Sequence, residues 1–249
     1  MGTGTELAGG AAAAVALFGA WQGAQWSTSQ LLGKTCVAGP HPRELALTFD
    51  DGPNDRYTHE IVEVLAHYNV RATFFMVGNY ARELPWLVRE IHEAGHVIGN
   101  HTMSHPNLAY KGARRVRDEL SGCKALLEDT IGAPVRYFRP PYGGRRPAVL
   151  RIAAELDMQV VMWNAMGFDW RASRRAKQIM KSVERSVRSN RKANRSTTIL
   201  LHDGGSDGLG ANRTSTVTAT ESLLKRGQAA GYEFVTVDKW WPVTQTSKA

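Results

Sequence analysis

Along most of this chain the hydrophobic positions switch between two spacings. Compact apolar runs at 45–50, 72–77, 97–100, 135–139, 159–163, 198–202 and 233–237 have the length and content of strands. Between them, apolar residues recur every three or four positions, the period of an amphipathic helix. Residues 58–68, for example, place Ile61, Val64, Leu65 and Tyr68 on one face. Pro85 suits the first turn of a second helix, which runs out near Gly95. Further helices are predicted over 113–131, 147–156, 173–189 and 215–230, the last stopped by Gly231. Strands alternating with crossover helices make a parallel sheet. Seven such strands predict an α/β fold, a distorted parallel β/α barrel that is closed or nearly so.

The first 42 residues do not follow this pattern. Residues 8–21 read AGGAAAAVALFGAW, an uncharged run that approaches membrane-spanning length only if extended to Trp26. Glu6 is the sole charge ahead of it, so the basic start of a signal sequence is missing. Two readings stand. The run is a secretion or anchoring segment, which places the protein outside the cytoplasm, secreted or membrane-anchored, or it is a helix packed on the domain. A connection marked by Gly39, Pro40 and Pro42 then separates an N-terminal segment and linker, 1–42, from one domain over 43–249.

Composition narrows the picture further. With 43% apolar and 22% charged residues the chain is built as a globular protein, which excludes wholesale disorder. The net charge of +8 favours an anionic neighbour, a cell-wall polymer or a membrane surface. No nucleic-acid-binding motif accompanies that charge, so nucleic acid is not an expected partner. Ten Lys and Arg lie between 171 and 195 against a lone Glu184, and positions 174, 177, 181, 185, 188 and 192 share one helical face. That face is either a solvated surface or a landing strip for an anionic wall or membrane. Cys36 and Cys123 fit free thiols as well as one bridge.

The chemistry shows where polar residues interrupt strands. Asp is poorly suited to strands and adjacent carboxylates repel, yet the first strand runs into Thr48-Phe49-Asp50-Asp51-Gly52-Pro53. Alternation sends the two carboxylates to opposite sides, whereas the Gly-Pro turn can bring both to the barrel mouth. A cation, or a division into one ligand and one base, relieves the repulsion. The third strand ends in Asn100-His101-Thr102-Met103-Ser104-His105-Pro106. Two imidazoles four residues apart, near a carboxylate, make a metal site with positions left for water and substrate. Such donors suit zinc, and cobalt or nickel also fit. Three more strands close on polar groups: Arg139-Pro140-Pro141-Tyr142-Gly143, Asp169-Trp170 and His202-Asp203-Gly204. Each alone is ordinary. Together they put reactive side chains at five strand ends, the face on which β/α barrels carry catalysis.

In this order and spacing TFDDGP, HTMSHP, RPPYG, DW and LLHD resemble the five motifs of the polysaccharide deacetylases, carbohydrate esterase family four with its NodB-homology domain. The resemblance covers about residues 43–240. It implies a NodB-like barrel, often seven-stranded, and a hydrolase that removes N-acetyl groups from an N-acetylglucosamine-containing glycan, such as peptidoglycan or a chitin-like polymer. The acetylated glycan is then the expected partner and acetate the product. Carried onto this chain, the motifs make Asp50 the general base and Asp51, His101 and His105 the ligands of a divalent ion, zinc first. Arg139 would hold Asp50, Tyr142 would offer its backbone N–H to the oxyanion, and His202 would be the general acid. Asp169 would orient His202 and raise its pKa, with Pro141, Trp170 and Leu200 shaping the substrate pocket.

Two departures bear on specificity. Relatives often carry an Asp shortly before the DW pair, where Met166 stands, and often an Asn after RPPYG, where this chain reads Gly144-Arg145-Arg146-Pro147. The two arginines are expected near the mouth, against an acidic substrate or in solvent. Rival readings have handles of their own. His92-Glu93-Ala94-Gly95-His96 matches the zinc-protease pattern HExxH, but Gly95 stops the helix and leaves His96 in a turn. An acetylxylan-type O-deacetylase would use the same residues, and a barrel can also bind glycan without catalysis.

Overall fold

The computed structural model describes residues 23–242, so the apolar run at 8–21 lies outside the described residues. Strand β1 (Glu44–Gly52) is buried along its whole length and sits inside the sheet. On one side follow β2 (Thr73–Met76), β3 (Val97–Asn100), β4 (Tyr137–Phe138) and β5 (Gln159–Val160). On the other lie β7 (Thr197–His202) and then β6 (Ala165–Met166), while β8 (Glu233–Val235) pairs with the start of β1. All these pairings are parallel. The distorted parallel β/α barrel is therefore present, with the seven expected strands and the additional short β6.

Side-chain alternation along β1 divides the core. Leu45, Leu47 and Phe49 face the helices and pack with Phe74, Ile199 and Leu201, whereas Ala46 joins Phe75, Val161 and Val235 in a separate interior cluster. Each fully buried side chain of this size contributes about 1.5–3 kcal/mol. The enclosing helices are α1 (Asp55–His67), α2 (Gly78–Glu83), α3 (Pro85–Glu93), α4 (Ala113–Ile131), α5 (Pro147–Glu155), α6 (Ala176–Lys192), α7 (Thr214–Ala229) and α8 (Val237–Trp240). In α1 the buried stripe is Ile61, Val62 and Leu65, so Val64 and Tyr68 reach the core only partly. Helix α6 buries Ile179, Met180, Val183 and Val187 and exposes Lys177, Lys181, Arg185, Arg188 and Lys192. No helix among the described residues is long and apolar enough to cross a membrane.

The run 159–163 pairs as a strand over two residues only. Beyond Val160 its carbonyls turn to another task, since Val161 O and Met162 O accept from the Arg139 guanidinium. Part of the expected linker closes the gap left there. Cys36 pairs with Val161, Thr198 Oγ1 donates to Val37 O at 2.7 Å, and Ser196 Oγ donates to Gly39 O at 2.9 Å. Residues 36–39 thus bridge from the β5 side to β7. Both cysteines are free, and Cys123 is sealed in the core.

Candidate active site

The two adjacent carboxylates are separated by a kink in β1. Pairing with β2 shifts register between Asp50 and Gly52, and Asp51 takes a φ of 70°, a left-handed conformation that non-glycine residues rarely adopt. Asp50 stays on the interior face while Asp51 swings to the mouth. Gly52 follows because a Cβ there would run into the Asp203 carboxylate.

Beyond β3 the chain makes a tight turn with Thr102 and His105 both at positive φ, 69° and 58°. The Asn100 side chain accepts from Thr102 N at 2.8 Å and donates to Leu120 O at 2.9 Å. Buried Glu119 accepts from Ser104 N and Ser104 Oγ, at 2.8 and 2.5 Å. Held this way, His101 Nε2 lies 3.3 Å and His105 Nε2 2.9 Å from Asp51 Oδ1. Burial opposes the Asp51 charge, but the His101 and His105 imidazoles against it and the His202 charge nearby outweigh that and keep its carboxyl well below the usual carboxylate range.

Whether a cation fits there follows from the donor set. His101 Nδ1 lies 2.7 Å from Arg139 O, an acceptor, so the neutral ring carries its proton on Nδ1 and turns its Nε2 lone pair toward Asp51. Two acceptors 3.3 Å apart are satisfied by a positive charge between them. One ligand atom each from Asp51, His101 and His105 falls within a 4.8 Å cluster, and all three residues are buried. The residues fit a divalent ion.

Asp50 is gripped from inside the barrel. The fully buried Arg139 donates from Nη1 to Asp50 Oδ1 and to Thr48 Oγ1, both at 2.7 Å, and lies over the Phe75 ring at 4.2 Å. Asp50 Oδ2 carries no hydrogen bond among the described residues and lies 3.9 Å from His101 Nε2. Breaking such a buried pair costs about 3–5 kcal/mol, so Asp50 is held firmly in orientation.

Across the mouth stands a second pair. Asp169 Oδ1 lies 2.9 Å from His202 Nδ1, and its Oδ2 accepts from His202 N at 2.8 Å and Thr216 Oγ1 at 2.9 Å. Burial alone would pull the His202 pKa down; the Asp169 charge and hydrogen bond, helped by Asp51 and Asp50, push it up to about 9. At neutral pH His202 is a cationic acid.

A cavity of about 840 Å³ joins these groups, lined by Asp50, Asp51, His101, His105, Tyr142, Trp170, Leu200 and His202 among others. Arg139 and Asp169 stand behind this wall, and Pro141, expected in the pocket, is buried and does not line it. Met166 does line it, as do Trp163 and the Gly-rich stretch 205–211, which sequence reasoning missed although four glycines in seven residues from Gly204 announced a loop beside His202. Asn54 closes the neck of that loop, donating to Asp203 O and Ala211 O and accepting from Gly210 N, each at 2.9 Å. Asp203 also went unassigned. It is buried, accepts from Thr58 Oγ1 at 2.6 Å, and burial pushes its carboxyl up to about 7.

One more expectation is corrected and one rejection is upheld. Arg145 neither meets solvent nor lines the cavity: it is buried and spent on main-chain carbonyls. The HExxH pattern is broken as its spacing foretold. Glu93 ends α3, Gly95 turns at a φ of 81°, and His96 faces the core, where Nδ1 accepts from Ala72 N at 3.1 Å.

An open donor triad flanked by a restrained carboxylate and a cationic imidazole, at the C-terminal ends of barrel strands, defines a class: the metal-assisted hydrolases. Comparison with known proteins narrows it. The polysaccharide deacetylase family model matches residues 38–161. A peptidoglycan-N-acetylglucosamine deacetylase of Bacillus cereus is 35% identical over 197 residues, covering 78% of this chain and 86% of the relative. A chitooligosaccharide deacetylase of Azorhizobium caulinodans is 31% identical over 209 residues, 81% of this chain and 96% of the relative. A solved peptidoglycan N-acetylglucosamine deacetylase, in complex with 4-naphthalen-1-yl-N-oxidanyl-benzamide, superposes with a TM-score of 0.74 at 31% identity, covering 85% of this chain and 94% of the other. This chain belongs to the polysaccharide deacetylase family.

Proposed function

We propose that this protein hydrolyses N-acetyl groups on an N-acetylglucosamine-containing glycan of the peptidoglycan or chitin type, releasing acetate. The observation that carries the reading is that Asp50 and His202, register partners at the ends of β1 and β7, line one cavity together with the Asp51, His101 and His105 donors. Asp51, His101 and His105 would hold the ion, zinc being the best match to two imidazoles and a carboxylate, and when bound it supplies Lewis acidity. Asp50, restrained by Arg139 on Oδ1, takes a proton from the attacking water on its free Oδ2. The N–H of Tyr142 has no partner among the described residues and is assigned to the oxygen that gains charge. His202, kept protonated by Asp169, gives its proton to the departing nitrogen, so that amide and water become amine and acetate. Trp170 and Leu200 border the space for the acetyl group.

The test is an acetate-release panel of chitin oligomers, peptidoglycan and acetylated xylan, run on the wild type and Asp50→Asn. Release from the N-acetylated glycans, lowered by about 10²–10⁴-fold in Asp50→Asn, is the expected result. Release from xylan alone makes the protein an O-deacetylase. No release from any of them makes it a binding barrel.

The same reading puts the protein outside the cytoplasm, where wall glycans lie. It also gives the α6 stripe a partner, an anionic polymer of that wall. The exposed face carries Lys177, Lys181, Arg185, Arg188 and Lys192, while the apolar face that would enter a bilayer is spent on the barrel.

A further inference from the structure

The Arg145 side chain is fully buried, and it has no carboxylate partner among the described residues. Its guanidinium collects four carbonyls instead. Nη1 donates to Gln25 O at 3.1 Å and Gly143 O at 3.2 Å; Nη2 donates to Trp26 O at 2.7 Å and Ser29 O at 2.9 Å. The tie is reciprocal. The Gln25 side-chain amide brackets the Arg145 peptide, donating from Nε2 to Arg145 O at 2.8 Å and accepting from Arg145 N at 3.1 Å. Five hydrogen bonds through two side chains therefore join residues 25–29, more than a hundred positions upstream, to the segment just after the RPPYG motif, and the sixth ties Arg145 back to Gly143.

That segment has a reason to be held. Tyr142 and Gly143 are consecutive residues at positive φ, 57° and 68°, and Tyr142 has no glycine's freedom to be there. Strained backbone persists where its surroundings over-determine it. Two short-range bonds, Gly143 N to Pro140 O at 3.0 Å and Gly144 N to Pro141 O at 2.9 Å, hold the turn from within. Arg145 holds it from outside, on the carbonyl that follows the strained residue. Burying an uncompensated guanidinium is costly, and an amide or a hydroxyl would tie a loop with less penalty.

Resting on the deacetylase reading above, we propose that Arg145 is a positioning residue for the reaction: by locking residues 25–29 onto Gly143 it fixes the direction of the Tyr142 N–H at the cavity. Residues 25–29 on this account brace the active-site wall from behind. Arg145 touches neither substrate nor ion and acts through Tyr142 alone.

The experiment uses the full chain loaded with zinc, as wild type, Arg145→Met and Gln25→Ala, the last leaving the buried guanidinium in place. Steady-state acetate release from a chitin oligomer is measured beside amide hydrogen exchange over 141–144. A small misalignment of a catalytic group costs up to about a hundredfold in rate, so kcat is expected to fall at least about tenfold in Arg145→Met and severalfold in Gln25→Ala, with KM nearly constant. Exchange at Tyr142–Gly144 is expected to speed up in both. Should Arg145→Met fail to fold, Gln25→Ala decides. Unchanged kcat and unchanged exchange in a folded variant overturn the proposal, and so does a rise in KM at constant kcat, which marks a substrate contact. Faster exchange in the variants of a wild type that releases no acetate preserves the lock but removes the deacetylase reading.

Discussion

Asp169 serves His202 twice, through the ring nitrogen and through the backbone N–H, and the pH behaviour of the site follows from that. An unperturbed histidine titrates near about 6.5, whereas His202 is pushed up to about 9. Because the folded pKa is the higher one, the stabilisation from this pair is complete below the unfolded value. It is lost as pH rises through about 9. Activity should follow the same proton. Acetate release is expected to persist at neutral pH and fall as pH climbs through about 9, and Asp169→Asn should move that alkaline limb to lower pH. A pH–rate profile with the limb unmoved contradicts the pairing. Residues of this kind were legible in the sequence because their polarity conflicts with the strands that carry them: Asp50, Asp51, His101 and His202 have no reason to end buried strands except chemistry. Asn54, Asn100, Glu119 and Arg145 were not legible. They act on backbone groups brought near by folding, and nothing in their own sequence neighbourhood distinguishes them from surface residues.

At the scale of elements, the site depends on irregularities more than on regular structure. The register shift at Asp51 and the positive φ of Thr102, His105 and Tyr142 aim the donors, and a periodicity argument assigns none of them. The regular parts read well because helix α4 and strand β3 carry uninterrupted patterns; their ends match the expected ones. β5 came out shorter than its apolar run, since carbonyls beyond Val160 serve Arg139, a competition invisible in hydrophobicity. Helix α2 was missed because six residues are too few to show a period. The HExxH pattern was rejected on the Gly95 stop, and the structure supplies a test of that rejection. Glu93 is exposed at the end of α3, so Glu93→Gln should leave acetate release within about twofold of wild type, because surface changes away from special features cost little. A loss of tenfold or more would return the motif to consideration.

Across the whole molecule, the barrel gathers five distant stretches onto one cavity and leaves a basic stripe on its flank. Glu184, the stripe's one acid, is already engaged by Arg226 at 2.9 Å and Arg188 at 3.8 Å. The remaining exposed cations have no acidic partner among the described residues, and attraction between exposed charges is screened by salt. Binding to anionic wall material should therefore be strong at low salt and weak at high salt. It should be lost when Lys177, Lys181 and Arg185 are changed to Glu, with hydrolysis of a soluble chitin oligomer unaffected. Sedimentation with purified walls reads this out; salt-independent retention, or retention by the triple variant, removes the stripe from the account. The proposed reaction requires a single ion held by Asp51, His101 and His105, the cluster that the fold brings together. The direct measurement strips the protein with a chelator and titrates zinc back while recording acetate release. Activity is expected to vanish on stripping, to rise linearly and to level off at one equivalent per chain, and not to return in His105→Ala at that stoichiometry. Activity that survives chelation, or that recovers equally in His105→Ala, would contradict it.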